Sequence, residues 1–107
     1  MSKYSVIVTK PAADDAVEII RYVSYNLKNR KAAERHLELY LDTLRSLREM
    51  PGIYGISTME GLYERGIRLA PFSNFDVAFT LDEQNATVTV LRVLYAMSDL
   101  SNKFNDD

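Results

Sequence analysis

The chain has 107 residues, 47% hydrophobic and 26% charged, with no Cys, no Trp and a single His. That length suits one domain, 1–107, able to remove about two-thirds of its unfolded surface from water; the missing Cys excludes a disulfide framework, thiol catalysis and thiolate-based structural zinc. A net charge of −2 and a pI near 5.4 supply no global field for a nucleic-acid backbone, whose capture relies on neutralised phosphates.

One imidazole cannot form a metal cluster, so neither a metal nor a cofactor is expected. No basic-then-apolar leader opens the chain, and no apolar run approaches the roughly 20 residues that span a bilayer. The expectation is a cytoplasmic protein with no membrane partner.

Residues 4-YSVIVT-9 are β-branched and aromatic and predict a strand. The run 9-TKPAADD-15 then reads as a helix start: Thr9 or Lys10 at the cap, Pro11 in the first turn, and Asp14 and Asp15 toward the positive end of the dipole. Ala16, Ile20, Val23 and Leu27 form an apolar stripe of helical period, so the helix is expected to run to about Leu27. In 28-KNRKAAER-35 the residues Lys28, Arg30, Lys31 and Arg35 lie close enough to make a local basic patch, but a solvated helix start with Asn29 as N-cap is the favoured reading. The second helix carries the stripe Ala33, Leu37, Tyr40, Leu41, Leu44 and Leu47, with His36 at its edge as a surface residue, and ends before 51-PG-52.

After the loop 51-PGIYGIST-58 the period changes to two. Strands are predicted over 63–70, 75–81 and 86–95, joined by the turn-forming runs 71-PFSN-74 and 82-DEQN-85. In the middle strand Val77, Phe79 and Leu81 share one face and Asp76, Ala78 and Thr80 the other; one face should pack on the helices and the other stay shallow and open. The order β-α-α-β-β-β makes a two-layer α+β domain, a helical hairpin on a mainly antiparallel four-stranded sheet. The polar end from about 101 reads as loosely ordered.

The order of 14-DDAVEIIRYV-23, 32-AAERHLELYLDTLRSL-47, 66-GIRL-69 and 92-RVLYAMSDL-100 resembles the RelE/ParE toxin family over about residues 4 to 100. The resemblance implies the toxin half of a type II toxin–antitoxin module, partnered by a small antitoxin whose tail wraps the toxin. RelE-like members cleave mRNA on the ribosome. ParE-like members, to which this chain is closer, are described as inhibitors of DNA gyrase with no reaction of their own.

Metal-free RNA cleavage needs a base for the 2′-OH, an acid for the leaving oxygen, and cations for the phosphate. Active RelE-like members have an aromatic followed by Arg in the third strand; this chain has Phe75 followed by Asp76, a carboxylate that would repel phosphate. Where they carry a basic residue after the last strand, it reads Tyr95, Ala96, Met97, Ser98. Arg68, Arg92 and Tyr95 are the surviving catalytic candidates, the two cations for phosphate and the phenol for proton transfer. The plainer reading pairs Arg68 or Arg92 with Asp76 and packs Tyr95 at the sheet edge. Strict alternation also puts Arg92 and Tyr95 on opposite faces, unless the strand bulges or ends between them.

Three functions follow from the resemblance. The first is a binding inhibitor of a target such as DNA gyrase, with Ile53, Tyr54, Ile56, Met97 and Phe104 as candidate contacts. The second is a ribosome-dependent endoribonuclease acting on mRNA. The third is a degenerate toxin that only binds its antitoxin and co-regulates their operon. All three share the antitoxin as partner, and a homodimer or a toxin–antitoxin hetero-oligomer fits each.

Overall fold

The computed structural model describes residues 3–26 and 29–96. The expected helix end at Leu27, the candidate contacts Met97 and Phe104, and the expected loose tail lie outside them. The elements are β1 (Ser5–Val8), α1 (Lys10–Asn26), α2 (Arg30–Glu49), a short 3-10 turn (Pro51–Ile53), β2 (Arg68–Phe72), β3 (Phe75–Asp82) and β4 (Thr87–Tyr95). The sheet order is β1-β4-β3-β2, with β1 parallel to β4 and the other pairs antiparallel. The two-layer β-α-α-β-β-β architecture read from the sequence is the one observed.

Both helices start on side-chain caps. Thr9 Oγ1 accepts from the Ala12 N–H (3.4 Å) and Asn29 Oδ1 from the Ala32 N–H (3.1 Å), each satisfying a donor that the first turn leaves orphaned. Asp14 and Asp15 lie past the first turn of α1, so neither serves the dipole as expected. Asp14 instead pairs with Lys10 at the surface.

The helices bury Ala12, Val23, Tyr40, Leu44 and Leu47, and all but Val23 join Phe72, Val77, Phe79, Val88, Val90 and Val93 in one core on the helix side of the sheet. Of the expected α2 stripe, Leu37 and Leu41 stay 43% and 45% exposed. They face the outside of the hairpin, because two helices on a flat sheet bury a narrower arc than six positions of helical period cover.

The opposite face of the sheet is not open as predicted. Leu62, Ile67, Ala78 and Leu94 form a second buried cluster there, with Leu69 and Leu91 packed against it. Residues 59–66 bring about the difference, because they fold as turns where a strand was expected from 63. Their end is closed by Ile67 N–H donating to Leu62 O (3.0 Å) and Gly66 N–H to Tyr63 O (3.0 Å), the paired bonds of a Schellman closure. Gly66 takes the left-handed φ of +66° that the closure demands. Leu62 and Ile67, which such a closure brings together, are both fully buried.

Between Ala78 and Phe79 the β3–β4 register shifts. Phe79 pairs with Val90 and Ala78 with Arg92, leaving Leu91 as an extra residue in β4. This bulge re-phases the strand just before its functional end. Val88, Val90 and Val93 all reach the helix-side core, although strict alternation from Val90 would have sent Val93 to the other face.

Candidate functional site

Among the described residues, the last half of β4 pairs with a strand on one side only. The ladder with β1 ends at Val8 and Val90, where the chain turns away into α1. Thr9 Oγ1 closes the junction by donating toward Val90 O (2.9 Å) and Leu91 O (3.1 Å). Beyond it, α1 supplies a side chain in place of a strand. Asp15 Oδ2 accepts from the Val93 N–H (3.0 Å), the bond a neighbouring strand would otherwise make.

The same carboxylate holds Arg92 through Nε to Oδ2 (2.7 Å) and Nη2 to Oδ1 (3.0 Å). Its side chain is 18% exposed and that of Arg92 28%, so the pair is mostly withdrawn from water. A bidentate guanidinium–carboxylate contact of this kind is the strongest of the ordinary charge-assisted pairs.

Arg92 and Tyr95 line one groove of about 830 Å³, with Asp15, Glu18 and Tyr22 from α1, His36 from α2, and Ser73 to Phe75 from the β2–β3 turn. Strand parity still sets the two on opposite faces, because the bulge at Leu91 precedes both; they share the groove because the Arg92 side chain wraps around the edge of β4 to reach Asp15 on α1. Tyr95, 48% exposed, meets Phe75 edge-on at 5.8 Å. His36 is bound at both ring nitrogens: Nδ1–H donates to Ala32 O (3.0 Å), and Nε2 accepts from the Ser73 hydroxyl (3.3 Å). It also meets Phe75 edge-on at 6.3 Å. The ring is half-exposed at the edge of the α2 stripe, as the sequence suggested, and these contacts orient it.

Arg68 lies elsewhere. It stands at the start of β2 opposite Phe79, and its Nη1 donates to Tyr54 O at 2.6 Å. Tyr95 sits two strands away and level with Phe72, a Cα separation on the order of 16 Å from strand spacing and rise. The three catalytic candidates do not converge on one phosphate. Neither arginine pairs with Asp76, the plainer reading. Asp76 pairs in register with Leu94 on the sheet face away from the helices, whereas Arg68 shares the helix-side face with Ala70 and Phe72. Partial burial raises the Asp76 carboxyl above its ordinary range.

Of the candidate target contacts, Tyr54 is committed to the fold. Its ring packs edge-on against Phe79 at 6.1 Å and its hydroxyl meets Ser46 Oγ at 3.0 Å. Ile53 and Ile56 are 61% and 41% exposed. A second, more apolar groove of about 970 Å³ runs along the hairpin between α1 and α2, lined by Ala13, Ala16, Val17, Ile20, Tyr25 and Leu37 among others. Among the described residues no cluster of His, Asp and Glu is placed to hold a metal ion.

The family model described as the ParE toxin of the type II toxin–antitoxin system parDE matches residues 6–100. The chain belongs to the ParE toxin family. Two solved structures share the fold of this ParE-family chain. One is the chromosomal ParDE toxin–antitoxin system of P. aeruginosa, with a TM-score of 0.68, 16% identity, and cover of 87% of this chain and 96% of that one. The other is the toxin–antitoxin complex RelBE2 of Mycobacterium tuberculosis, with a TM-score of 0.59, 19% identity, and cover of 87% and 98%. At these identities the likeness is one of fold. No curated protein sequence matches.

Asp15 is the residue that sequence reasoning missed in this ParE-family toxin. Its signal was present: it lies three residues after Ala12 and four and eight before Ile19 and Val23, on the apolar stripe of α1. A carboxylate on a buried stripe requires a partner. Arg92, the one charge in a run of apolar strand residues, required one too.

Proposed function

We propose that this ParE-family toxin acts by binding and inhibiting an essential target such as DNA gyrase, with no reaction of its own, and is neutralised in the cytoplasm by a cognate antitoxin. The observation that carries this reading is the engagement of Arg92. A guanidinium already bidentate to Asp15 has two of its donors spent. Using it to stabilise phosphate would add a second anion beside a carboxylate that is mostly out of water. Arg68 is separately engaged by Tyr54 O, and Asp76 adds negative charge to the other face.

Inhibition by binding needs exposed apolar surface instead. Ile53 and Ile56 supply some after α2, with Met97 and Phe104 as further proposed contacts. For the antitoxin, the hairpin groove with half-exposed Val17 and Leu37 suits the apolar side of an amphipathic helix. The two structures of like fold are both of toxin–antitoxin systems, which supports that partner.

The test is DNA supercoiling by purified gyrase, titrated with this protein freed from its antitoxin. Dose-dependent inhibition, or trapped cleaved DNA, is the expected result. No effect at clear excess, together with ribosome-dependent mRNA cleavage that Arg68→Ala and Tyr95→Phe abolish, would replace the proposal with the ribonuclease. Overexpression without any effect on growth would point to a degenerate toxin that only binds its antitoxin.

A further inference from the structure

The groove at the end of β4 has a composition that the proposed inhibition does not use. Phe75 lies within it, and the rings of His36 and Tyr95 both stand nearly perpendicular to Phe75, at interplanar angles of 78° and 74°. Tyr22, 62% exposed on α1, lines the groove as well. Aromatic faces are electron-rich and attract cations held within about 6 Å of the ring centre.

The charges agree. Two carboxylates, Asp15 and Glu18, and one guanidinium, Arg92, line the groove, leaving it net negative. Asp15 and Arg92 neutralise each other. Glu18, one turn further along α1, enters no salt bridge among the described residues. Rings beside an uncommitted carboxylate disfavour a phosphate and favour a flat cation, which can stack on a ring while its N–H fork binds the carboxylate.

The geometry points to this groove as the receptor for an arginine side chain presented by a protein partner, stacked on the half-exposed Tyr95 ring with its guanidinium on Glu18. The inference builds on the antitoxin reading and makes it specific. The partner segment places an arginine at the end of β4 while its apolar side covers the hairpin groove, and Ala16, Val17 and Ile20 on the hairpin side of α1 are close in sequence to Glu18.

The test follows aromatic and backbone NMR signals of the full-length protein while N-acetyl-arginine amide is titrated to high millimolar concentration. Lysine amide and uridine 5′-monophosphate serve as competing probes. Saturable shifts confined to Tyr22, Phe75, Tyr95 and the α1 turn around Glu18 are expected, with arginine ahead of lysine. Glu18→Gln, a surface change that leaves the core alone, weakens binding about threefold. No saturable shift, shifts unaffected by Glu18→Gln, or preference for the nucleotide would overturn the assignment. Preference for the nucleotide would turn the groove toward RNA. The outcome is separable from the partner reading: a co-expressed antitoxin that still binds Glu18→Lys undiminished sinks the arginine site alone. Arginine binding in a chain that captures no antitoxin keeps the site and removes that partner.

Discussion

The two halves of β4 are held by different means. Residues 87–90 lie between β1 and β3, with Val88 and Val90 fully buried under the helices. Among the described residues, 91–95 have β3 on one side, and on the other a threonine hydroxyl and a carboxylate from the start of α1. The first half is fixed by a ladder on both sides together with apolar burial, which is non-directional and tolerant. The second depends on a few directed bonds, so losing one partner leaves a defined group without its mate. The candidate site occupies the second kind of structure.

The largest expected effect tests the first half. Phe79, fully buried and opposite Val90, should cost about 3–5 kcal/mol when replaced by Ala, measured by denaturant unfolding. Next comes Asp15→Ala, which removes the bidentate carboxylate from Arg92 and the acceptor from the Val93 N–H together. Breaking a fully buried pair costs about 3–5 kcal/mol; with the side chains 18% and 28% exposed, about 1–3 kcal/mol is expected here. The sharper readout is amide exchange, which should accelerate at Val93 and stay unchanged at Val88 and Val90. Equal acceleration in both halves would erase the distinction between them.

The smallest effect concerns Asp76, opposite Leu94 in the second half. Burial raises its carboxyl in the folded state, so folding favours the protonated form. That contribution is fully present below the unfolded value near 3.9 and is lost as pH rises through the raised folded value. Ionised Asp76 therefore lowers stability at neutral pH. Asp76→Asn should raise stability at pH 7 by less than about 1 kcal/mol, a gain that vanishes in strong acid. A loss at pH 7 would reveal a cation that the carboxylate serves.

The same division decides what the sequence disclosed. Helix periods, Asn29 as cap, the order of elements along the chain and the first half of β4 follow from local chemistry. Residues 63–67 were misplaced in a strand because Tyr63 and Ile67 favour one, while the decisive signal was a pair of glycines, Gly61 and Gly66, both at positive φ. The Asp15–Arg92 clamp joins residues 77 apart, so only a reading of polar residues on apolar stripes could have anticipated it. The bulge at Leu91 has no local signature, since nothing around it marks an extra residue.

Pro71 sits in β2, the last strand of the sheet, opposite Asp76. Proline has no N–H to offer a further strand, and Ile56 already bridges to Arg68 farther along the same strand. That border of the molecule resists strand-by-strand growth at Pro71, while β1 at the opposite border pairs on one side only among the described residues. A sheet with one sticky side can join a single neighbour and then has nothing left to extend. A strand added at β1 would find no equivalent edge at Pro71, so pairing of that kind would end at a finite complex rather than a fibre.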